Sequence, residues 1–245
     1  MTKKKVKLEL PLQPSFVTSV SGLPKTGKTR FSFTYPEPIK CFSFDGGADY
    51  IRTKFPDKEI TIQNFRLPVL DTEKVTWAEP IWEEFYAQYN EDVESGQFKT
   101  ITLDTATVIQ SMLRQFILEN LQVSKPSKQK LSTNEYLARN LVMKAMFDRA
   151  KYAGVHRVTI QYLAEKLLRE KGSDKAEPTG EMILQGWGQT EGYADLNIEM
   201  ATKMKANKKV MVATIKSCRF TREFDGQSFE DPTFYEITAL IFGGE

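Results

Sequence analysis

Histidine is nearly absent: one residue, His156, in a chain of 245. That excludes a multi-histidine metal site and argues against a Ser-His-Asp triad. Cysteine is almost as scarce. Cys41 and Cys218 have no metal-ligand spacing and make no disulfide framework, so a reducing cytoplasm is the expected location. No apolar run approaches the roughly 20 residues of a membrane span, and no membrane contact is expected. Charge of one sign is lacking too. Lys and Arg number 34 against 32 Asp and Glu, a net of +2, so any contact with a polyanion must use a local patch. The start, Met1-Thr-Lys-Lys-Lys5, is basic, but alternating residues follow it rather than a signal-peptide apolar core. Residues 1–14 read as a basic arm or an edge strand.

What is present is ordinary in bulk and specific in one place. Hydrophobic residues make up 40% and charged residues 27%, which suits one α/β domain over 15–245. The specific place is Gly22-Leu23-Pro24-Lys25-Thr26-Gly27-Lys28-Thr29. It fits G-x-x-x-x-G-K-[ST] at every fixed position. The glycines let the backbone curl so that N–H groups converge on phosphate oxygens. Lys28 brings a cation to the outer phosphates, and the Thr29 hydroxyl suits Mg²⁺. Arg30 follows at the start of the expected helix. A β-rich run, 16–20, precedes the loop and a helix can follow it before Pro36, the context the pattern requires. The competing reading is a Gly/Lys-rich surface turn.

Further strands are expected at 39–44, within 60–70, at 100–103 and at 157–162. Helical spacing predicts helices over 77–89 and 108–121, and 134–153 reads as a second long helix. Residues 90–97 read as a loop, and 166–192 as a long mobile or functional loop. Closing strands are expected at 195–200, 210–215 and 234–241. Strands alternating with helices predict a mainly parallel sheet covered on both faces, with antiparallel C-terminal strands.

A triphosphatase needs a carboxylate near Mg²⁺ and one that orients the attacking water. Asp104 ends the strand 100–103 and suits the first role; an acid at the carboxyl end of a parallel strand faces the ligand crevice. A helix N-cap is its competing reading. Asp45, followed by Gly46-Gly47, suits the second role, against a plain Asp-Gly turn. Gln161, inside the strand 157–162, suits a sensor of the γ-phosphate, against a satisfied core amide.

Late cations cluster. Lys203, Lys205, Lys208 and Lys209 surround Ala206-Asn207, a hairpin tip, and read equally as a solvated face. Lys216 and Arg219 could reach a neighbouring subunit's γ-phosphate and steady transition-state charge there. Lys125, Lys128, Lys130, Arg169, Lys171 and Lys175 suit a phosphate backbone, and Tyr136, Trp187 and Tyr193 could stack on bases.

The 22–29 loop resembles the RecA-type phosphate loop, above all the archaeal and eukaryotic recombinase version with a basic residue and Thr before Gly-Lys-Thr. The acid-Gly-Gly at 45–47, the Asp104-Thr105 pair and Gln161 follow the same order as in RecA-like proteins. Lys216 with Arg219-Phe220 is similar to the Lys-x-Arg-Phe element of the RadA-like branch, at a wider spacing. In length the chain most resembles the phage-encoded RecA-like ATPases of the Sak group. The resemblance implies a RecA-like core, ATP and Mg²⁺ as cofactors, and ATP hydrolysis coupled to single-stranded DNA binding and annealing or recombination. It also implies a homo-oligomer (ring or short filament), a single-strand-binding protein as a possible partner, and a host cytoplasm. Two alternatives stand beside it. One is a nucleotide-binding adaptor, such as a helicase loader with slow hydrolysis. The other is a P-loop kinase, although 166–192 lacks the arginines of a kinase lid.

Overall fold

The computed structural model describes residues 15–68, 76–169 and 176–243. The basic arm expected over 1–14 and the cations Lys171 and Lys175 lie outside these residues.

The first strand, β1 (Val17–Gly22), is buried at all six positions. So is each residue of β2 (Ile39–Ser43) and β4 (Thr100–Asp104). Strands with no exposed face belong in a sheet covered on both sides. Six strands run parallel in the order β3 (Ile60–Asn64), β2, β4, β5 (His156–Arg169), β1, β7 (Leu196–Lys205). Two antiparallel strands, β8 (Lys208–Cys218) and β9 (Ser228–Glu230), extend the sheet beyond β7. The expected antiparallel character of the C-terminal third therefore holds for β8 and β9, while β7 is parallel to β1.

Strand alternation sorts the core into two sides. Val17, Phe42, Ile101 and Leu103 pack with α3 (Ala78–Glu94), α4 (Ala106–Ser124) and α5 (Thr133–Tyr152). On the opposite face Val20, Val158, Ile160 and Ile198 pack with Phe31 of α1 (Lys28–Ser32) and with Phe234 and Ile237 of α7 (Phe234–Phe242). The short α2 (Ala48–Arg52) covers Ile39 and Cys41 beside α1.

Three sequence expectations give way. Residues 90–97 are not all loop: α3 continues to Glu94. Its last turns bury Tyr89, Asp92 and Val93, and Asp92 is an inward-facing ion-pair partner of Lys40 at 3.1 Å. Residues 234–241 form a helix, not a strand. Thr233 and Glu236 make a reciprocal capping box, a signal worth about 1 kcal/mol. Residues 166–192 contain strand where a loop was expected. β5 runs on to Arg169 and pairs antiparallel with β6 (Ala176–Leu184). That ribbon is exposed along β6, so backbone pairing holds it and no apolar alternation announces it in the sequence.

Two ribbons therefore leave the carboxyl edge of the parallel strands. β5 pairs with β1 only through Tyr162 and with β6 from Leu163 onward. β7 pairs with β1 only through Met200 and continues with β8 to the turn at Ala206 and Asn207. Both turn residues have positive φ, 47° and 61°, as the tip of a two-residue hairpin requires.

Candidate nucleotide site

The 22–29 loop lies between these ribbons. β1 ends on Gly22, whose φ of 151° and position allow no side chain: a Cβ there would lie 2.3 Å from the Met200 carbonyl oxygen. At Gly27 the positive φ of 92° is what favours glycine; a Cβ there would meet only the flexible side chain of Met211, its sulfur 2.1 Å away. Thr26 Oγ1 donates to the Leu23 carbonyl at 2.8 Å and fixes the curl. The helix that follows starts at Lys28 and is five residues long, so the cradle is built by loop backbone more than by an extended helix dipole.

Lys28 is buried. Its Nζ donates to the Gly22 and Leu23 carbonyls at 3.0 and 2.7 Å and stands over the Tyr162 ring, 4.8 Å from its centre. Burial pulls its pKa down to about 8, against the attraction of Asp104 and Asp45. Thr29 Oγ1 donates to Asp104 Oδ2 at 2.7 Å. That contact joins the loop to an acid at the end of β4. Asp104 is 1% exposed. Burial first, and the Asp45 carboxylate second, push its pKa up to about 7, while Thr29 and Lys28 oppose the shift. The charge here is under-neutralised, and a hydroxyl and a carboxylate are the hard oxygen donors that suit Mg²⁺. No group of three or more His, Cys, Asp or Glu is assembled among the described residues.

Asp45 makes the Asp-Gly turn and faces the site at once. Oδ1 accepts from the Gly47 N–H at 3.0 Å, and Oδ2 accepts from the Tyr162 hydroxyl at 3.0 Å. A cleft of about 610 Å³ joins these groups; Asp45, Asp104, Lys28 and Tyr162 line one flank, and Lys209 and Met211 of β8 the other.

Gln161 does not enter this cleft. On β5 it alternates with Ile160, the partner of Asp104, and so faces the other side of the sheet. It is fully buried and its Nε2 donates to the Gln185 and Trp187 carbonyls at 3.3 and 3.4 Å. Nε2 makes the contacts of a core amide, while Oε1 is buried with no hydrogen-bond partner among the described residues; the neighbouring Tyr162 takes the site-facing position. Period-2 alternation announced that one of the two would face the loop, but not which. Lys209 and Met211 were also missed as lining groups, because the fold of the β7–β8 ribbon over the loop is tertiary.

The remaining candidates scatter. Lys216 pairs with Glu199 at 3.1 Å and Arg219 with Asp195 at 3.0 Å. Arg219 follows Cys218, which pairs with Leu196 at the amino end of β7, away from its own chain's loop. Lys203 and Lys205 share Glu230 at 2.5 and 2.7 Å, and Lys128 pairs with Glu135 at 2.5 Å. Lys125, Lys130 and Lys208 are exposed. Trp187 is buried and stacks on Tyr193, with Phe147 beside it, so it packs the domain and offers no face to a base. Tyr136 lies under Arg139. The sole histidine is structural: His156 Nδ1 accepts from the Phe16 N–H at 3.0 Å, and burial pulls its pKa down to about 4. No protein-family model matches the chain, and no curated protein matches it.

Proposed function

We propose that the chain binds ATP with Mg²⁺ and hydrolyses it, as a RecA-like ATPase acting on single-stranded DNA in annealing or recombination. The observation that carries the reading is the 2.7 Å contact between Thr29 and Asp104. It puts a loop hydroxyl and a strand-end carboxylate at one point, beside the Lys28 ammonium. β5 stands between β1 and β4 and brings Tyr162 to the loop beside Lys28.

In this reading the loop N–H groups and Lys28 hold the phosphates, while Thr29 and Asp104 hold Mg²⁺. When bound, the cation neutralises charge on the phosphates. Asp45 orients and deprotonates the attacking water. Lys28 must leave the Gly22 and Leu23 carbonyls to reach a phosphate, an exchange of hydrogen bonds within one cradle. Arg219 acts across a subunit boundary in a ring or short filament only after leaving Asp195. The exposed Lys125 and Lys130 are the cations offered to the phosphate backbone of single-stranded DNA. A kinase is the weaker reading, because the segment after Tyr162 is a two-stranded ribbon and not a helical lid.

The test is ATP hydrolysis with and without single-stranded DNA. Several-fold stimulation is expected. ATP binding with no hydrolysis under any condition favours an adaptor such as a helicase loader and rejects the ATPase reading.

A further inference from the structure

We infer that Tyr162 is the positioning residue of this site: its hydroxyl aims Asp45, its ring faces Lys28, and its backbone ties both to the β5–β6 ribbon. The inference rests on the ATPase reading and adds to it a route by which the position of the ribbon controls turnover.

Three sets of contacts meet at this one residue. The hydroxyl donates to Asp45 Oδ2 at 3.0 Å. Because Oδ1 is already held by Gly47 at 3.0 Å, the second bond fixes the rotation of the carboxylate. Burial, followed by the Asp45 charge, pushes the phenol pKa well above its usual range, so it remains a donor across the working pH range. The ring lies against Lys28, the cation that must swing towards a phosphate. The backbone is laced on both sides. Tyr162 N donates to Thr107 Oγ1 at 3.2 Å, and Gln185 N donates to the Tyr162 carbonyl at 2.8 Å. Thr107 Oγ1 in turn donates to the Gln185 carbonyl at 3.0 Å.

Gln185 follows β6 directly, and Thr107 stands in the first turn of α4, three residues after Asp104. Tyr162 is also the last β5 residue paired with β1; from Leu163 the strand belongs to the ribbon. A shift of the ribbon therefore pulls on Gln185 and Leu163, and through them on the phenol that aims Asp45. The ribbon can shift, because its β6 residues are exposed and bury no core. A change in the ribbon's angle therefore changes how well Asp45 is aimed, without touching the nucleotide.

The experiment is Tyr162→Phe in the full chain, which keeps the ring against Lys28 and removes only the hydroxyl. Turnover is expected to fall about tenfold, the kinetic equivalent of one hydrogen bond. KM for MgATP should stay within about twofold, because aiming acts on the chemical step. Stimulation by oligo-dT should largely vanish. Adding Asp45→Asn to Tyr162→Phe should cost less than Asp45→Asn costs alone, as expected for residues that act as a unit. Unchanged turnover and stimulation in Tyr162→Phe, with Lys28→Ala inactive, overturns the role of Tyr162 and leaves the ATPase reading intact. If the wild type binds nucleotide without hydrolysing it, the ATPase reading fails, and hydrogen exchange over 176–184 decides. A non-hydrolysable ATP analogue that protects the strand in the wild type but not in Tyr162→Phe supports the link; equal protection overturns it. A wild type that binds no nucleotide overturns both.

Discussion

Two aspartates are buried at opposite ends of the same sheet, and they are treated differently. Asp195, at the amino end of β7, is 2% exposed. Its Oδ1 accepts from Lys151 at 2.9 Å and Arg219 at 3.0 Å, and its Oδ2 accepts from the Val17 N–H at 3.1 Å. Two cations and a backbone donor saturate it. Asp104, at the carboxyl end of β4, is 1% exposed and holds one short hydrogen bond, from a neutral hydroxyl. Its charged neighbours are Lys28, which is engaged with loop carbonyls, and Asp45, which repels it. A buried acid with its charge met is part of the framework. A buried acid with its charge unmet has a raised proton affinity and marks a candidate functional group.

The contrast can be broken from either side. The largest expected effect is on the loop: Lys28→Ala should lower turnover by about a thousandfold or more, with a melting temperature close to the wild type, measured by steady-state ATPase assay and thermal scan. Retained turnover rejects the site. At the other end, Asp195→Ala should destabilise the fold by about 3 kcal/mol, because two cations and the Val17 N–H lose their acceptor. Nucleotide affinity of the folded protein should not change, and a denaturant titration with a binding isotherm reads both quantities.

Asp104→Asn should move stability in the opposite direction. Its folded pKa is raised to about 7, so stability falls as pH rises from about 4 to about 7, and the penalty is complete above that. The amide keeps an acceptor for Thr29 and carries no charge. Asp104→Asn should therefore stabilise the chain at pH 8 by on the order of 1–3 kcal/mol, with little gain at pH 4, while Mg²⁺-dependent turnover is lost. Smaller again is the effect of pH on nucleotide affinity in Mg²⁺. It should fall below about pH 7 as Asp104 takes a proton and above about pH 8 as Lys28 loses one. The smallest stability effect belongs to Arg219→Ala. Its side chain is 47% exposed and Lys151 still serves Asp195, so the loss should stay below about 1 kcal/mol. A fall in turnover in this variant that appears only in assembled protein supports a role across a subunit boundary.

Much of the framework was legible because it rests on local or periodic signals. The 22–29 loop follows a buried strand as its pattern requires. Asp104 ends β4 where a parallel strand delivers an acid to the crevice. The helix over 106–124 follows its apolar spacing. What was not legible depends on partners distant in sequence. The polar stretch after residue 89 continues a helix because Lys40, on another element, waits for Asp92. Arg157 is fully buried with its guanidinium over the Phe147 ring, 3.7 Å from its centre, while Nε, Nη1 and Nη2 have no hydrogen-bond partner among the described residues. Gln161 drew attention as a polar residue in an apolar strand, yet the pleat turns Tyr162 toward the loop. The choice between those two faces is made by register with β4, which no local pattern carries. The 234–241 segment was a different failure: its capping box is local, and its apolar residues were read as a strand despite it.

The central claim is that Asp104 is an acid left short of charge for a cation that arrives with nucleotide. Calorimetric titration of ATP into the wild type and Asp104→Asn, with and without Mg²⁺ at pH 7 in buffers of different ionisation enthalpy, tests it most directly. The account predicts that Mg²⁺ tightens binding to the wild type at least tenfold and that binding releases a proton from the site. In Asp104→Asn both the Mg²⁺ effect and the proton should be lost. The same Mg²⁺ dependence and the same proton release in both proteins would contradict it.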